Sequence, residues 1–254
     1  MANPLLNGGG GVSPQSIYTT STTKQHAPGT RGTLNDRVFY YSSMSNATGI
    51  VANNLIQAAI PIANHVTETG TLSFVLGRTT VTAVLGATAA IQDEYEEGYV
   101  QIESSTLGLG QMRKIRGGHP AVASAGTISV DLYDPVAITP TGTVTWSFIH
   151  NPWSNVIITP ITTITGMIVG VAPVLVPAAT ATTAPVYFWS QTWGPCSVLG
   201  DTSDSVVGQG LIASAVVGSV GVAVETDIKQ RIGVSMGTLA TNTVYQSVYL
   251  QIAP

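Results

Sequence analysis

The 254-residue sequence predicts an all-β protein, made of β-sandwich or β-barrel modules with an extended N-terminal arm. Three observations predict this class. Short apolar runs alternate with small polar residues at a period of two, as in "GTISVDLYDP" and "GTVTWSFIHNP". Turn residues separate these runs at roughly the spacing typical of sandwiches and barrels. Long segments with the 3.6-residue period of an amphipathic helix are missing from the sequence.

The predicted arm covers residues 1–45. Its stretches "NGGGGVSP" and "TTSTTKQHAPGTRG" are rich in Gly, Ser, Thr and Pro, a composition typical of extended or disordered chain. A disordered tail is one interpretation, and an arm that becomes ordered on a neighbouring subunit is the other. Scattered apolar anchors favour the second interpretation. The residues that we expect at such an interface are Leu5, Leu6, Ile17, Tyr18, Arg31 and Arg37.

The rest of the sequence predicts two β modules, residues 46–150 and 151–254. The break at His150-Asn151-Pro152 is a seam between them or a corner within one continuous domain. "NNLIQAAIP" predicts one or two helical turns that end before its proline. Period-two alternation then predicts strands, with the side chains of "ISVDL" and "VTWSF" placed alternately on two faces.

The composition limits the classes of function. Charged residues make up 9% of the chain, against about 25% in ordinary proteins, so much of the surface is uncharged and suits packing against other proteins. Nine Lys and Arg and a net charge of -4 provide no basic stripe for nucleic acid. One Cys excludes an intramolecular disulfide and allows folding in a reducing cytoplasm. We expect no signal peptide, and the most apolar stretch, 164–179, is too short and too rich in Pro and Gly to span a bilayer.

Motifs that would carry chemistry are weak. His26, His65, His119 and His150 are isolated in sequence and match no metal-binding spacing. His119, in the turn "RGGHPA", is the best candidate for a ligand or base, although an ordinary loop residue is the favoured interpretation. The acidic run "AAIQDEYEEG" favours a short helical turn or exposed loop over a catalytic carboxylate pair. We therefore predict no catalytic, cofactor-binding or metal-binding residue, and no enzyme activity.

The stretch "VYFWSQTWGPCSV" contains two of the four Trp and the single Cys. Its alternation predicts a strand with Tyr187, Trp189 and Gln191 on one face and large side chains on both faces. Gly-Pro then predicts a turn after Trp193. No base or cation lies beside Cys196 in sequence, so we expect a buried, inert thiol.

Four stretches together resemble a family of tailed-bacteriophage proteins. They are "EYEEGYVQIESSTLGLGQMRKIRGGHP", "GTISVDLYDPV", "VYFWSQTWGPCSVL" and "QRIGVSMGTLATNTVYQSVYLQI", and the resemblance covers residues 50–254. The family consists of capsid decoration, or cement, proteins of marine-type phages. The resemblance implies a non-enzymatic, β-rich virion protein that is made in the host cytoplasm. It would bind the major capsid protein on the outer capsid surface, as a homotrimer at three-fold or quasi-three-fold positions.

Two alternatives remain open at this point. One is another virion subunit, such as a head fibre, tail or baseplate protein. The other is a carbohydrate-binding or hydrolytic β-sandwich, in which the aromatic rings would form a sugar platform. The arrangement of Trp153, Trp189 and Trp193, which we also expect at an interface, discriminates between these functions. Exposed, coplanar rings would favour sugar binding, whereas buried rings would favour a structural role.

Overall fold

The chain divides into two compact units. Unit 1 combines residues 1–59 with residues 152–254, and unit 2 is residues 60–151, so unit 2 is inserted into the sequence of unit 1. The computed structural model describes residues 7–8, 11–160, 164–181, 184–201, 204–224, 229–238 and 244–254, with backbone alone at residues 7, 8, 11 and 12. The sequence predicted boundaries between residues 45 and 46 and between residues 150 and 151. In the structure the chain passes from one unit to the other after residue 59 and after residue 151.

The described residues are almost entirely β-strand. The strands are β1 (Asn7–Gly8), β2 (Gly11–Val12), β3 (Arg31–Leu34), β4 (Arg37–Met44), β5 (Asn54–Gln57), β6 (Leu72–Ser73), β7 (Thr80–Val84), β8 (Tyr99–Ser104), β9 (Met112–Arg116), β10 (Thr127–Leu132), β11 (Thr145–Ile149), β12 (Ile157–Ile158), β13 (Ile168–Ala172), β14 (Val186–Leu199), β15 (Gly210–Ala213), β16 (Val220–Val222), β17 (Arg231–Ser235) and β18 (Tyr245–Gln251). A 3-10 turn at Ala63–His65 is the helical element among them. The predicted all-β sandwich or barrel class is confirmed, and one of the two sheets curls into a half-barrel.

The sheet of unit 1 has the strand order β16-β15-β17-β18-β14-β4-β3-β1-β2. Off this path, β13 pairs with both β14 and β5, and β12 pairs with β5. The long strand β14 lies at the centre, because β4 pairs with its first half and β18 with its second half. This position requires apolar side chains on both of its faces, which is the pattern that the sequence shows.

One face of the β4–β14 pair is buried beneath β5, β12 and β13. Met44, Val186 and Phe188 pack there against a cluster that includes Ile56 and Val169. Met44 and Phe188 are fully buried. The predicted alternation of Val186 and Phe188 against Tyr187 and Trp189 is therefore confirmed on this face.

The opposite face is covered by residues 13–29, which we call the N-terminal strap. Ile17 of the strap is fully buried against Phe39, Tyr41 and Trp189. Ser21 and Tyr187 exchange two backbone hydrogen bonds, at 2.9 and 2.7 Å. The part of the predicted arm that the structure describes thus packs on its own chain, and residues 31–44 continue into β3 and β4.

Strand β14 continues through Gly194 and Pro195, where the sequence predicted a turn, so that prediction is wrong. The chain changes its pairing partner there instead of reversing. A register shift between Gln191 and Trp193 and a φ of 86° at Gly194 accommodate the change. A Cβ at Gly194 would lie 2.5 Å from the carbonyl oxygen of Asp36, so this position requires glycine.

The stretch 53–61, predicted to contain helical turns, includes strand β5 instead. All four residues of β5 are buried, and Leu55 and Ile56 pack into two different apolar clusters on its opposite faces. A strand buried on both faces lacks the alternation that marks a half-exposed strand. The apolar run in this stretch was therefore ambiguous between helix and strand, and the helical prediction was wrong.

The sheet of unit 2 has the order β11-β8-β9-β10-β7-β6. Strand β10 shows the predicted alternation, with Ile128, Val130 and Leu132 buried and the residues between them exposed. Trp146 and Phe148 of β11 are buried in the same core and meet edge to face, with ring centroids 5.3 Å apart. Gly108 and Gly110, with φ values of 81° and 79°, precede strand β9.

Candidate functional site

Cys196 is the one cysteine of the chain, and it lies in the second half of β14. Its side chain is partly buried against the core that contains Val198 and Val248, and its Sγ lies 3.4 Å from the carbonyl oxygen of Ser197. Burial raises the pKa of the thiol to about 12, although the positive charge of Arg37 opposes the shift. The thiolate is the reactive form of cysteine, so the environment keeps this side chain in its unreactive form at neutral pH.

The tryptophan side chains of unit 1 do not line up as a platform. Trp189 is buried, with 1% of its surface exposed. Trp153 is partly buried and stacks on Tyr40, with 4.1 Å between centroids and 6° between planes. Trp193 meets Tyr249 edge to face at 6.0 Å. Of the three rings, Trp189 is buried, as expected for a structural role, whereas Trp153 and Trp193 are partly exposed and pack on different neighbours.

The main cluster of titratable side chains lies inside unit 2, around Tyr95. Three of the four histidines converge on this fully buried ring, although they are far apart in sequence. His119 and His150 stack on Tyr95 at centroid distances of 5.9 and 5.0 Å, and His65 meets its edge at 5.8 Å. All three are at least 92% buried, with exposed fractions of 0%, 4% and 8% for His65, His119 and His150.

The hydrogen bonds of this cluster assign the protonated nitrogen of two rings. His65 Nε2 lies 2.8 Å from the carbonyl oxygen of Thr88, so it donates, and Nδ1 accepts from Tyr95 Oη at 2.5 Å. In His119 the roles are reversed. Its Nε2 accepts from the backbone N–H of Tyr95 at 3.1 Å, and its Nδ1 donates to the carbonyl oxygen of Pro120 at 2.8 Å. Each of these two rings therefore has both of its nitrogens hydrogen-bonded within unit 2.

The acidic run next to Tyr95 is largely buried, so the predicted exposed loop is wrong for Glu94 and Glu97. Glu94 Oε1 pairs with His150 Nε2 at 3.0 Å, and its Oε2 accepts from the N–H of Ile91 at 3.1 Å. Burial alone would raise the pKa of Glu94. The hydrogen bond and charge of His150, with smaller contributions from Ile91 and His65, outweigh burial and hold the pKa below its usual value.

Glu97 is satisfied by a second set of partners on neighbouring strands. Lys114 Nζ lies 2.8 Å from its Oε2, and Tyr133 Oη donates to its Oε1 at 2.7 Å. The hydrogen bond to Glu97 is also the main reason why the pKa of Tyr133 is raised. The carboxylates of this run thus connect the turn at residues 91–97 to β9 and to the end of β10.

This cluster holds turns together and does not present a reactive group to solvent. Both ring nitrogens of His65 and of His119 are already hydrogen-bonded, so binding a metal ion would break one of these bonds. Among the residues that the structure describes, no group of three or more His, Cys, Asp or Glu side chains is placed to hold a metal ion. Because the cluster is enclosed, its physical role is to fix the loops of unit 2.

Sequence reasoning missed this cluster because its members lie on four separate segments. Long-range pairing of β8 with β11 and β9 brings them together, and no local spacing encodes that pairing. A weak signal was available in the turns "GGHP" and "IHNP", where a histidine precedes a proline-bounded loop. When a sequence also contains a dense acidic run, histidines in such turns are suited to form hydrogen bonds with buried carboxylates.

A shallow depression of about 250 Å³ lies on the strap of unit 1. Its lining is uncharged and consists of Pro14, Gln15, Thr19, Thr20, Ser21 and Gln25. It opens widely to solvent and contains neither an acid nor a base, so it lacks the groups that proton transfer requires.

The residues expected at an interface occupy different environments. Ile17 and Trp189 are buried within unit 1, whereas half of the Tyr18 side chain is exposed. Arg31 Nε donates to the carbonyl oxygen of Pro254 at 3.1 Å, and the guanidinium of Arg37 lies 5.5 Å from the centre of the Phe39 ring. Trp153 and Trp193 are partly buried on aromatic neighbours, as described above, and Leu5 and Leu6 lie outside the described residues.

Comparison with known proteins leaves the family of the chain open. No protein-family model, curated protein or solved structure gives a significant match. Within the part of the chain that the structure describes, no helix is long and apolar enough to cross a membrane.

Proposed function

We propose that this chain is a structural virion protein that binds the outer surface of a bacteriophage capsid and stabilises the shell. In this role it is made in the host cytoplasm and assembles on the major capsid protein, as a homotrimer at three-fold or quasi-three-fold positions. The sequence resemblance to phage decoration proteins supplies the class of partner. The surface of the molecule supplies the physical support.

The observation that carries the proposal is the number of large apolar side chains left in contact with solvent. They occur in both units, and the most exposed aliphatic ones are Val51, Ile60, Leu76, Leu107, Leu109, Leu175, Val206, Val207 and Val224. Charged residues make up only 9% of the chain. A surface with many apolar side chains and few charges is typical of a protein that other proteins cover.

A symmetric shell also suits contacts that are individually modest. Each copy of a trimer that spans a three-fold position contacts an equivalent site, so the second and third contacts form at a high effective concentration. Small apolar patches can then give a stable complex without one large interface. The packing of each unit-1 tryptophan on its own neighbour does not favour the sugar-binding alternative.

The first test locates the chain in purified virions. We expect mass spectrometry to detect it in the particle, and electron microscopy to show density at three-fold or quasi-three-fold positions of the outer surface. Particles from a phage that lacks the gene are the matched control and should lack that density. Absence of the chain from wild-type particles, or its location only in the tail, would contradict the proposal.

The second test measures stabilisation. Particles with and without the chain are heated in parallel, and release of DNA is followed with a DNA-binding dye. We expect the particles without the chain to release DNA at a lower temperature, and added purified chain to restore the wild-type value. Equal release temperatures would exclude a stabilising role even if the chain is present on the shell.

A further inference from the structure

The turn at residues 91–97 of unit 2 is closed by three hydrogen bonds to His119. The N–H of Asp93 donates to the carbonyl oxygen of His119 at 2.9 Å, and the N–H of His119 donates to Asp93 Oδ1 at 3.0 Å. The third bond uses the imidazole ring, because the N–H of Tyr95 donates to His119 Nε2 at 3.1 Å. Asp93 and Glu97 have φ values of 60° and 58°, which cost free energy in residues other than glycine. The turn therefore depends on its partners to stay closed.

The three histidines around Tyr95 differ in the group that each would present a new proton to. His150 Nε2 faces the carboxylate of Glu94, which accepts from a protonated ring. His65 Nδ1 faces the hydroxyl of Tyr95, which can rotate and accept instead of donating. His119 Nε2 faces a backbone N–H, which can only donate. A proton on His119 Nε2 would therefore set two donors against each other, with no acceptor for either.

The other nitrogen of the His119 ring offers no way around this conflict. Nδ1 donates to the carbonyl oxygen of Pro120 at 2.8 Å, and a carbonyl oxygen can only accept. The proton of the neutral ring is therefore fixed on Nδ1, and a second proton has to go to Nε2. Only 4% of the surface of His119 is exposed, so water has little access to the ring while the turn is closed.

The elements around His119 carry both signs of charge. Besides Tyr95, their titratable or charged side chains are Asp93, Glu94, Glu96 and Glu97 in the turn, Arg113, Lys114 and Arg116 on β9, and His65 and His150 around the Tyr95 ring. The carboxylate of Asp93 attracts a proton to this region, and the cations of β9 repel it. Neither effect supplies an acceptor at Nε2, because the N–H of Tyr95 occupies that position. The atom in contact with Nε2 therefore decides how the turn responds to acid.

We propose that His119 is an acid-sensitive clasp for the turn at residues 91–97, which opens when the ring takes up a proton at Nε2. The step takes one proton from solvent and breaks the hydrogen bond from the N–H of Tyr95. The ring of Tyr95 also contacts Phe148 in the core of unit 2, with 5.0 Å between centroids, so release of the turn loosens this core. Histidine protonation is a common basis of pH-dependent conformational change.

The direction of the effect follows from which state binds the proton. An open turn exposes an ordinary histidine, which takes up a proton near pH 6.5, whereas the closed turn does not bind a proton at Nε2. The closed turn is therefore fully favoured at neutral pH. Each pH unit below about 6.5 shifts the balance towards the open turn by up to about tenfold.

The test measures amide hydrogen exchange of the full-length chain at pH 7, 6 and 5. Rates are converted to protection factors, which corrects for the intrinsic effect of pH on exchange. His119→Gln is the main variant, because its amide oxygen can accept from the N–H of Tyr95 and its side chain does not titrate in this range. Carboxylates keep their charge in this range, since their ordinary values lie near 4.

His26→Gln is the matched control, because it makes the same substitution in unit 1. His26 Nε2 contacts Ser13 Oγ at 3.0 Å, and a hydroxyl can donate or accept. We expect protection of the Asp93 and Tyr95 amides to fall at least about tenfold between pH 7 and pH 5 in wild type and in His26→Gln. In His119→Gln the fall should be less than about twofold. Constant protection in wild type, or an equal fall in His119→Gln, would overturn the clasp.

A second measurement needs no variant, so it also applies if His119→Gln does not fold. The ring resonances of His119 and the exchange of the Tyr95 amide are followed by NMR over the same pH series. We expect ring protonation and loss of amide protection to occur together. A protonated His119 ring beside a Tyr95 amide that is still protected would show that the turn tolerates the proton, and the clasp would be rejected. The capsid function is tested separately and stands or falls on its own experiments.

Discussion

Replacing Tyr95 by Phe removes one oxygen atom from the centre of the histidine cluster in unit 2. The hydroxyl donates to His65 Nδ1 at 2.5 Å, and both side chains are fully buried. Without it, the ring nitrogen loses its partner in a place that water does not reach. An unsatisfied buried acceptor costs about 1–3 kcal/mol. For a unit of this size that corresponds to a fall in Tm of roughly 5–20 °C.

The measurement is hydrogen exchange on the full-length chain, read separately for each unit. Amides of β8 and β11 report the free energy of unfolding of unit 2, and amides of β4 and β14 report that of unit 1. We expect Tyr95→Phe to lower the first value and leave the second unchanged. The result would also appear as a lower temperature for the unit 2 transition in calorimetry.

Tyr133→Phe is the matched control, because it deletes the same atom from the same residue type in the same unit. The Tyr133 side chain is half exposed, and Glu97 keeps Lys114 as a partner when the hydroxyl is lost. We expect a change within about 0.5 kcal/mol, as for most surface substitutions. Equal losses in the two variants, or no loss in Tyr95→Phe, would refute the role assigned to the buried hydrogen bond.

Three further predictions concern other parts of the molecule. Cys196 should react with a thiol reagent such as dithionitrobenzoate far more slowly in the native chain than in urea, because burial raises the pKa of the thiol to about 12; equally fast reaction in both states would contradict this. Ile17→Ala should lower the free energy of unfolding of unit 1 by about 2–4 kcal/mol in urea titrations, because it leaves a cavity beneath the strap. Tyr18→Ala at the exposed neighbouring position is its control, and equal effects would show that the strap contributes little. The folded-state pKa of Glu94 is held below its ordinary value, so this carboxylate stabilises the fold above that ordinary value and the stability is lost as the pH falls through the lowered folded pKa. Stability curves between pH 6 and 3 should therefore be flatter for Glu94→Gln than for wild type, and parallel curves would contradict the assignment.

The half-exposed strands could be predicted from sequence because one side of each faces water. In β10, Ile128, Val130 and Leu132 alternate with polar residues, and this pattern in the sequence shows which face is buried. Strand β5 shows no such alternation, because apolar clusters pack on both of its faces. Local reasoning has no access to burial that arises from partners more than 100 residues away along the chain.

Turn chemistry misled the prediction for a related reason. Gly194-Pro195 is a turn signal in isolation. In the structure the positive φ of Gly194 allows β14 to leave β4 and join β18, so the same residues continue a strand. Charged carboxylates are rarely buried, and the burial of Glu94 and Glu97 depends on partners from other segments, chiefly His150, Lys114 and Tyr133.

The insertion of unit 2 within unit 1 also sets an order for folding during synthesis. Residues 60–151 are contiguous, so unit 2 has every strand of its sheet once residue 151 has left the ribosome. Unit 1 at that moment holds only β1 to β5, and β4 must wait for β14 to be translated before it has its main partner. The first 59 residues therefore remain an unfinished sheet through the translation of more than 90 others. During this interval the apolar side chains of β4 lack their partner strand β14, so they add exposed apolar surface to the nascent chain.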